Sequence, residues 1–175
     1  MSTMESIAAD VAAMVDALSK AQRATAAADD ATQRIAARAA GSGFAGVAQN
    51  LSRLREAIRE IHTGLAAVTG LVGEASTAVA AVPAQATVQQ TAAVLGPVTQ
   101  TLDNVHGQLG VVLERITKAQ QLAGAVLQGG QPGPMLARLD VIRQILLTVV
   151  QRTNQASDTV KTVGAEALRT GDQGN

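Results

Sequence analysis

The sequence predicts an all-α protein of long antiparallel helices with heptad seams, forming an up-down-up-down four-helix bundle or two linked helical hairpins. Three observations carry that prediction. Apolar residues recur at alternating steps of three and four through most of the 175-residue chain. Alanine, the best helix former, is abundant, so local propensity agrees with the pattern. Phe44 is the only aromatic residue, and a core of Ala, Val, Leu and Ile suits closely spaced helices whose contacts are spread along their length.

The first helix is expected over residues 3–40, with its seam at Met4, Ile7, Val11, Met14, Leu18, Ala21, Thr25, Ala28, Thr32, Ile35 and Ala39. Gly41-Ser42-Gly43 ends it with residues that tolerate left-handed backbone. The second spans 44–82 and carries Phe44, Val47, Leu51, Leu54, Ile58, Ile61, Leu65, Val68, Val72, Ala75, Val79 and Val82. Pro83 stops it.

Thr87-Val88-Gln89-Gln90 then fits a capping box that opens a third helix over 87–127. Its frame is looser, through Leu95, Leu102, Val105, Leu109, Val112, Ile116, Ala119, Ala123 and Val126, and Pro97 should kink it or delay its start. Residues Gly129 to Pro134 separate it from a fourth helix over 134–169, with Pro134 tolerated in the first turn. That helix repeats cleanly through Met135, Leu139, Ile142, Leu146, Val149, Thr153, Ala156, Val160, Val163 and Ala167. One bundle over 1–169 and a flexible polar tail over 170–175 complete the expected organisation.

Charge and composition exclude several functions. Fourteen basic and fourteen acidic residues cancel, which removes the bulk attraction to nucleic acid or anionic membrane. Without cysteine there is no thiolate chemistry, disulfide or Cys-based zinc site. The N-terminus lacks the pattern of a secretory signal, and no stretch reads as a membrane span, Gly64 to Val82 coming closest. A cytoplasmic location is expected, with leaderless export as the alternative.

Candidate chemistry is sparse. Folding the second helix on the third about residue 84 brings His62 level with His106, each just after a seam residue. A metal site there would need more ligands than neighbouring Glu60 and Asp103 supply. Arg53, Arg55, Glu56, Arg59 and Glu60 mix signs at helical spacing, the pattern of a solvated, salt-bridged outer face. Gly129-Gly130 lacks the lysine and serine or threonine of a phosphate loop, and no serine sits in a nucleophile motif. No catalytic residue, cofactor-binding residue or metal ligand is expected, so the chain is read as a non-enzyme without cofactors.

Two surface features remain. The hairpin turns fall at one end of a bundle, where residues 30–60 and 112–145 hold nine basic and five acidic residues. That basic end could meet an acidic partner or the acidic end of another copy. Gly64 to Thr101 has one charge, Glu74; it either packs against the first and fourth helices or forms a docking tip.

The segments from Gly43-Phe44-Ala45-Gly46-Val47-Ala48 to Arg59-Glu60-Ile61, Val126 to Pro134, and the Gly171-Asp172-Gln173-Gly174-Asn175 ending resemble an Ala-rich helical family of uncharacterised actinobacterial proteins. More loosely, helical hairpins with a glycine-containing turn, here Gly41-Ser42-Gly43, are similar to the WXG100 class of type VII secretion substrates. This chain has no Trp and no Tyr. The expected function is a non-catalytic helical protein-protein interaction or scaffold module, with a protein partner or a second copy of itself. The second resemblance implies the alternative, a type VII secretion-associated chaperone or toxin-delivery partner. Neither specific nucleic-acid binding nor membrane insertion is expected.

Overall fold

A computed structural model describes residues 3–83, 86–128 and 132–172. They form four helices: α1 (Thr3–Gly41), α2 (Ala45–Ala80), α3 (Val88–Val126) and α4 (Gly133–Asp172). Each packs against its neighbours in chain order, and α1 also packs along α4. No diagonal pair of helix backbones comes close among the described residues. The ring is therefore closed, which selects the four-helix bundle over two hinged hairpins.

Local chemistry sets each boundary. At the end of α1, Phe44 N–H donates to the Ala39 carbonyl (2.9 Å) and Gly43 N–H to that of Ala40 (3.1 Å). This pair of bonds is a Schellman motif, and Gly43 takes the left-handed position at φ +82°. α2 stops at Ala80, ahead of Pro83, because a residue preceding proline is pushed out of helical geometry. Its expected end was Val82.

The capping box of α3 forms: Gln90 N–H donates to Thr87 Oγ1 (3.2 Å), and Thr87 N–H to Gln90 Oε1 (2.9 Å). α3 then runs through Pro97, so the start is not delayed. Pro97 has no N–H for the carbonyl of Ala93, but Ala93, Gly96 and Pro97 are all exposed and water can take the donor's place. α4 starts on the Pro132 carbonyl, which accepts from Leu136 N–H (3.0 Å), and Pro134 sits in its first turn. The helix continues to Asp172, so part of the expected tail is helical. Gly129 to Gln131, the side chain of Ala167 and residues 173–175 lie outside the described residues.

The seams form the core. Ile7 to Ala28 of α1, Leu51 to Val79 of α2, Leu95 to Ala123 of α3 and Met135 to Val160 of α4 bury their apolar seam residues at 0–6 % exposure. Val98, absent from the expected frame, fills the gap between Leu95 and Leu102 and is 1 % exposed. Its burial shows that the helical phase survives the proline. Among the described residues α2 alone is long and apolar enough, by length and composition only, to cross a membrane, a test that the core helix of a bundle also passes; here its apolar stripe faces the other helices.

Three seam positions are threonines. Thr25, Thr32 and Thr153 are almost wholly buried, and each hydroxyl donates to the carbonyl four residues earlier at 2.8 Å. Each of those carbonyls also accepts its helical N–H, so replacing the hydroxyl by a methyl would orphan nothing. Thr25→Val and Thr32→Val should each raise the unfolding free energy by up to about 1 kcal/mol in urea titration, since burying one more methyl is worth about 0.8 kcal/mol. A loss of stability would mean that the hydroxyls contribute more than self-satisfaction.

Candidate docking site at the turn end of the bundle

In heptad letters the buried seam occupies positions a and d, flanked by e on one side and g on the other. Cross-helix contacts show which edge meets which neighbour. Gln22 and Asp29 of α1 and Arg55 and Thr69 of α2 are all e positions. Gln22 donates to Thr69 Oγ1 (3.1 Å), and Arg55 donates to Asp29 (2.8 and 3.3 Å) and Gln33 (2.7 Å). The α2–α3 contact uses g positions instead: Gly64 lies against Val112, and Arg115 Nη1 donates to the Glu60 carbonyl (2.9 Å). At the α4–α1 contact, also g to g, Arg152 Nη1 pairs with Asp10 Oδ1 at 2.9 Å.

This alternation separates the two histidines. His62 and His106 are both e positions, so His62 faces α1 beside Asp29 and Asp30, and His106 faces α4 beside Ser157 and Asp158. The α2–α3 register also folds about residue 88 rather than 84, as the Gly64–Val112 and Glu60–Arg115 contacts require. The position level with His62 is thus near 114. Among the described residues no group of three or more histidines and carboxylates could hold a metal.

His106 does share a groove of about 370 Å³ with Ser157, Asp158 and Lys161. Ser157 Oγ is buried without a hydrogen-bond partner, and nothing in the sequence marked it. The serine and histidine form no hydrogen bond with each other, so no nucleophile–base pair is assembled.

The charge run Arg53 to Glu60 divides. Arg59 pairs with Glu56 along α2 at 3.7 Å, as a solvated face would, and both are exposed. Arg55 turns toward α1, where its hydrogen bond to Asp29 raises the guanidinium pKa further above its ordinary value. Its role is to tie α1 to α2 close to their turn.

Past these pairs the bundle opens. Phe44 and Val47, expected in the core, are 63 % and 38 % exposed. The register explains this correction: α3 ends at Val126, which lies about level with Asn50, so Phe44 and Val47 extend beyond it. The start of α2 overhangs its neighbour. Beside it is a concavity of about 700 Å³. Ile35 and Ala39 of α1, Phe44, Val47, Val126, Leu127 and Met135 supply apolar walls, and Arg34, Arg38 and Arg138 join them. No carboxylate lines it, and none of the three arginines has an ion pair or hydrogen bond among the described residues. An apolar hollow bordered by three unpaired guanidinium groups is suited to an apolar side chain that carries a carboxylate beside it.

The opposite end has its own concavity, of about 620 Å³, between the start of α1 and the end of α2. Met4, Glu5, Val79, Val82 and Pro83 are among its lining residues. Much of the charge-poor stretch therefore packs inward, at Leu65, Val68, Val72, Ala75, Leu95 and Val98, while Val82 and Pro83 line the open concavity.

Residues 86–172, which contain α3 and α4, match the model of a family described as a family of unknown function (DUF6244). No curated protein and no solved structure matches the chain.

Proposed function

We propose that the chain is a non-catalytic helical module that binds another protein through the turn end of its bundle. The observation that carries this reading is the apolar concavity with Phe44 exposed beside it and Arg34, Arg38 and Arg138 without ion-pair partners among the described residues. Aromatic and arginine side chains dominate binding energy at protein interfaces, and this end holds the chain's one aromatic residue. The non-catalytic part is supported by the dispersal of the titratable groups: His62 faces α1, His106 faces α4, and most carboxylates are exposed. Such groups lack the dry, concave surroundings that general acid–base work requires.

The test is affinity capture from the native host with three baits: wild type, Phe44→Asp, and Arg34→Gln with Arg38→Gln. A protein held by the wild type and lost from both variants, with helix content unchanged by circular dichroism, supports the reading. Capture that is indifferent to both variants overturns it.

A further inference from the structure

The turn end and the opposite end of the bundle carry opposite net charges. A plane through the middle of the rod passes near Gln22, Leu65, Val111 and Leu147. On the turn side of it lie ten basic and six acidic residues; on the other side lie four basic and eight acidic. The halves carry net charges of +4 and −4 within a chain whose total is zero. At both ends the apolar seam runs out uncovered, into the concavity beside Phe44 and Val47 at one and into that beside Met4 and Val79 at the other.

We infer that the partner of the turn end is a second copy of this chain, engaged by its acidic opposite end, so that copies associate head to tail. The inference rests on the docking role proposed above for the turn end. Turn end to turn end is disfavoured, because it would bring Arg34, Arg38 and Arg138 of two copies together without a carboxylate between them. Head to tail, each apolar end is covered by another apolar end, and guanidinium groups face carboxylates such as Glu5 and Glu74. This contact uses two different patches, so it does not close on a pair. It leaves a free end of each kind and extends into open rows.

The size of the contact sets its strength. With helices about 10 Å across, the end of a four-helix bundle offers roughly 400 Å², and a contact buries roughly 800 Å² in total. Stable pairs need about 1,200–2,000 Å². Association is therefore weak, reversible and evident only at high concentration, and salt weakens it because the charges are exposed.

Sedimentation of the full chain from about 10 μM to about 1 mM, at about 0.02 M and about 0.5 M salt, tests the inference. The expected result is an average mass that rises past the dimer without a plateau at low salt and falls back at least severalfold toward the monomer at high salt. Two variants assign the ends. Arg34→Gln with Arg38→Gln disables the turn end, and Glu5→Gln with Glu74→Gln disables the other. Each alone should stay monomeric, and an equal mixture should stop at the dimer, because one intact end of each kind remains.

A wild-type chain that stays monomeric throughout overturns the inference. So does self-association of the Glu5→Gln, Glu74→Gln variant by itself, which would mean that turn ends pair with each other. If the wild type is monomeric while Phe44-dependent capture of a different protein persists, head-to-tail assembly falls and the docking reading stands.

Discussion

Leu109→Ala should lower the unfolding free energy by about 2–5 kcal/mol, the cost of deleting a buried leucine and leaving a cavity. Leu109 is fully buried near the middle of α3. The core around α1 is built from small residues, with Ala21, Thr25, Ala28 and Thr32 on successive seam positions. Small side chains on a regular helix cannot lean far into a void, so relaxation is limited and the cost belongs in the upper part of that range. Urea titration should show an earlier midpoint with an unchanged slope. Val111→Ala, two residues away and 41 % exposed, is the control and should change stability by no more than about 0.5 kcal/mol. A Leu109→Ala loss below about 1 kcal/mol would show that the small-residue core collapses readily.

Gly64→Ala is the second large effect, and its sign is the point of interest. In an exposed helix interior, alanine for glycine gains about 1 kcal/mol. At Gly64 the added Cβ would stand 2.6 Å from Val112 Cγ2 and 3.2 Å from Arg115 Nη1. Valine is stiff at χ1 and cannot swing aside, so α2 and α3 must separate. Overpacking of this kind costs about 1–3 kcal/mol, which outweighs the gain in propensity. The net expectation is destabilisation. In a Val112→Ala background the obstruction is gone and the same change should become stabilising. The four unfolding free energies form a double-mutant cycle, and additivity within about 0.5 kcal/mol would remove the close approach as the cause. Gly73 and Gly110, whose added Cβ would meet nothing within 4 Å, give the unobstructed comparison.

Helix number, punctuation and most of the core were legible in the sequence because they depend on local rules. The capping box at Thr87 and Gln90, the stop before Pro83 and the turn at Gly43 are each decided by a few neighbouring residues. What escaped depends on axial register and on which edge of a helix meets which neighbour. His62 and His106 occupy equivalent heptad positions, so pairing them looked natural; the alternation of e and g contacts around a closed ring sends them to different neighbours. A clue was present in Ala57, Gly64, Leu71 and Ala78, an apolar edge of α2 that suits contact with α3 better than the edge bearing Arg55, His62 and Thr69. Phe44 and Val47 kept the seam pattern yet lie outside the core, because periodicity does not say where the neighbouring helix ends. The basic end was visible from charge alone. Its concavity, which depends on that overhang, was not.

The contact of α1 with α4 has a mechanical consequence. Along its g edge α1 presents Ala17, Ala24 and Ala31, side chains with almost no relief, and Asp10 reaches across to grip Arg152. A helix with so smooth a flank is a rail, and the Asp10–Arg152 pair is its latch. With handles at Thr3 and Gly133, which lie at opposite ends of the rod, a pull along the long axis should yield first by sliding of α1 against α4, one helical turn at a time. Removing the latch by Arg152→Ala should lower the yield force measured with optical tweezers while leaving the other three contacts to bear load as before.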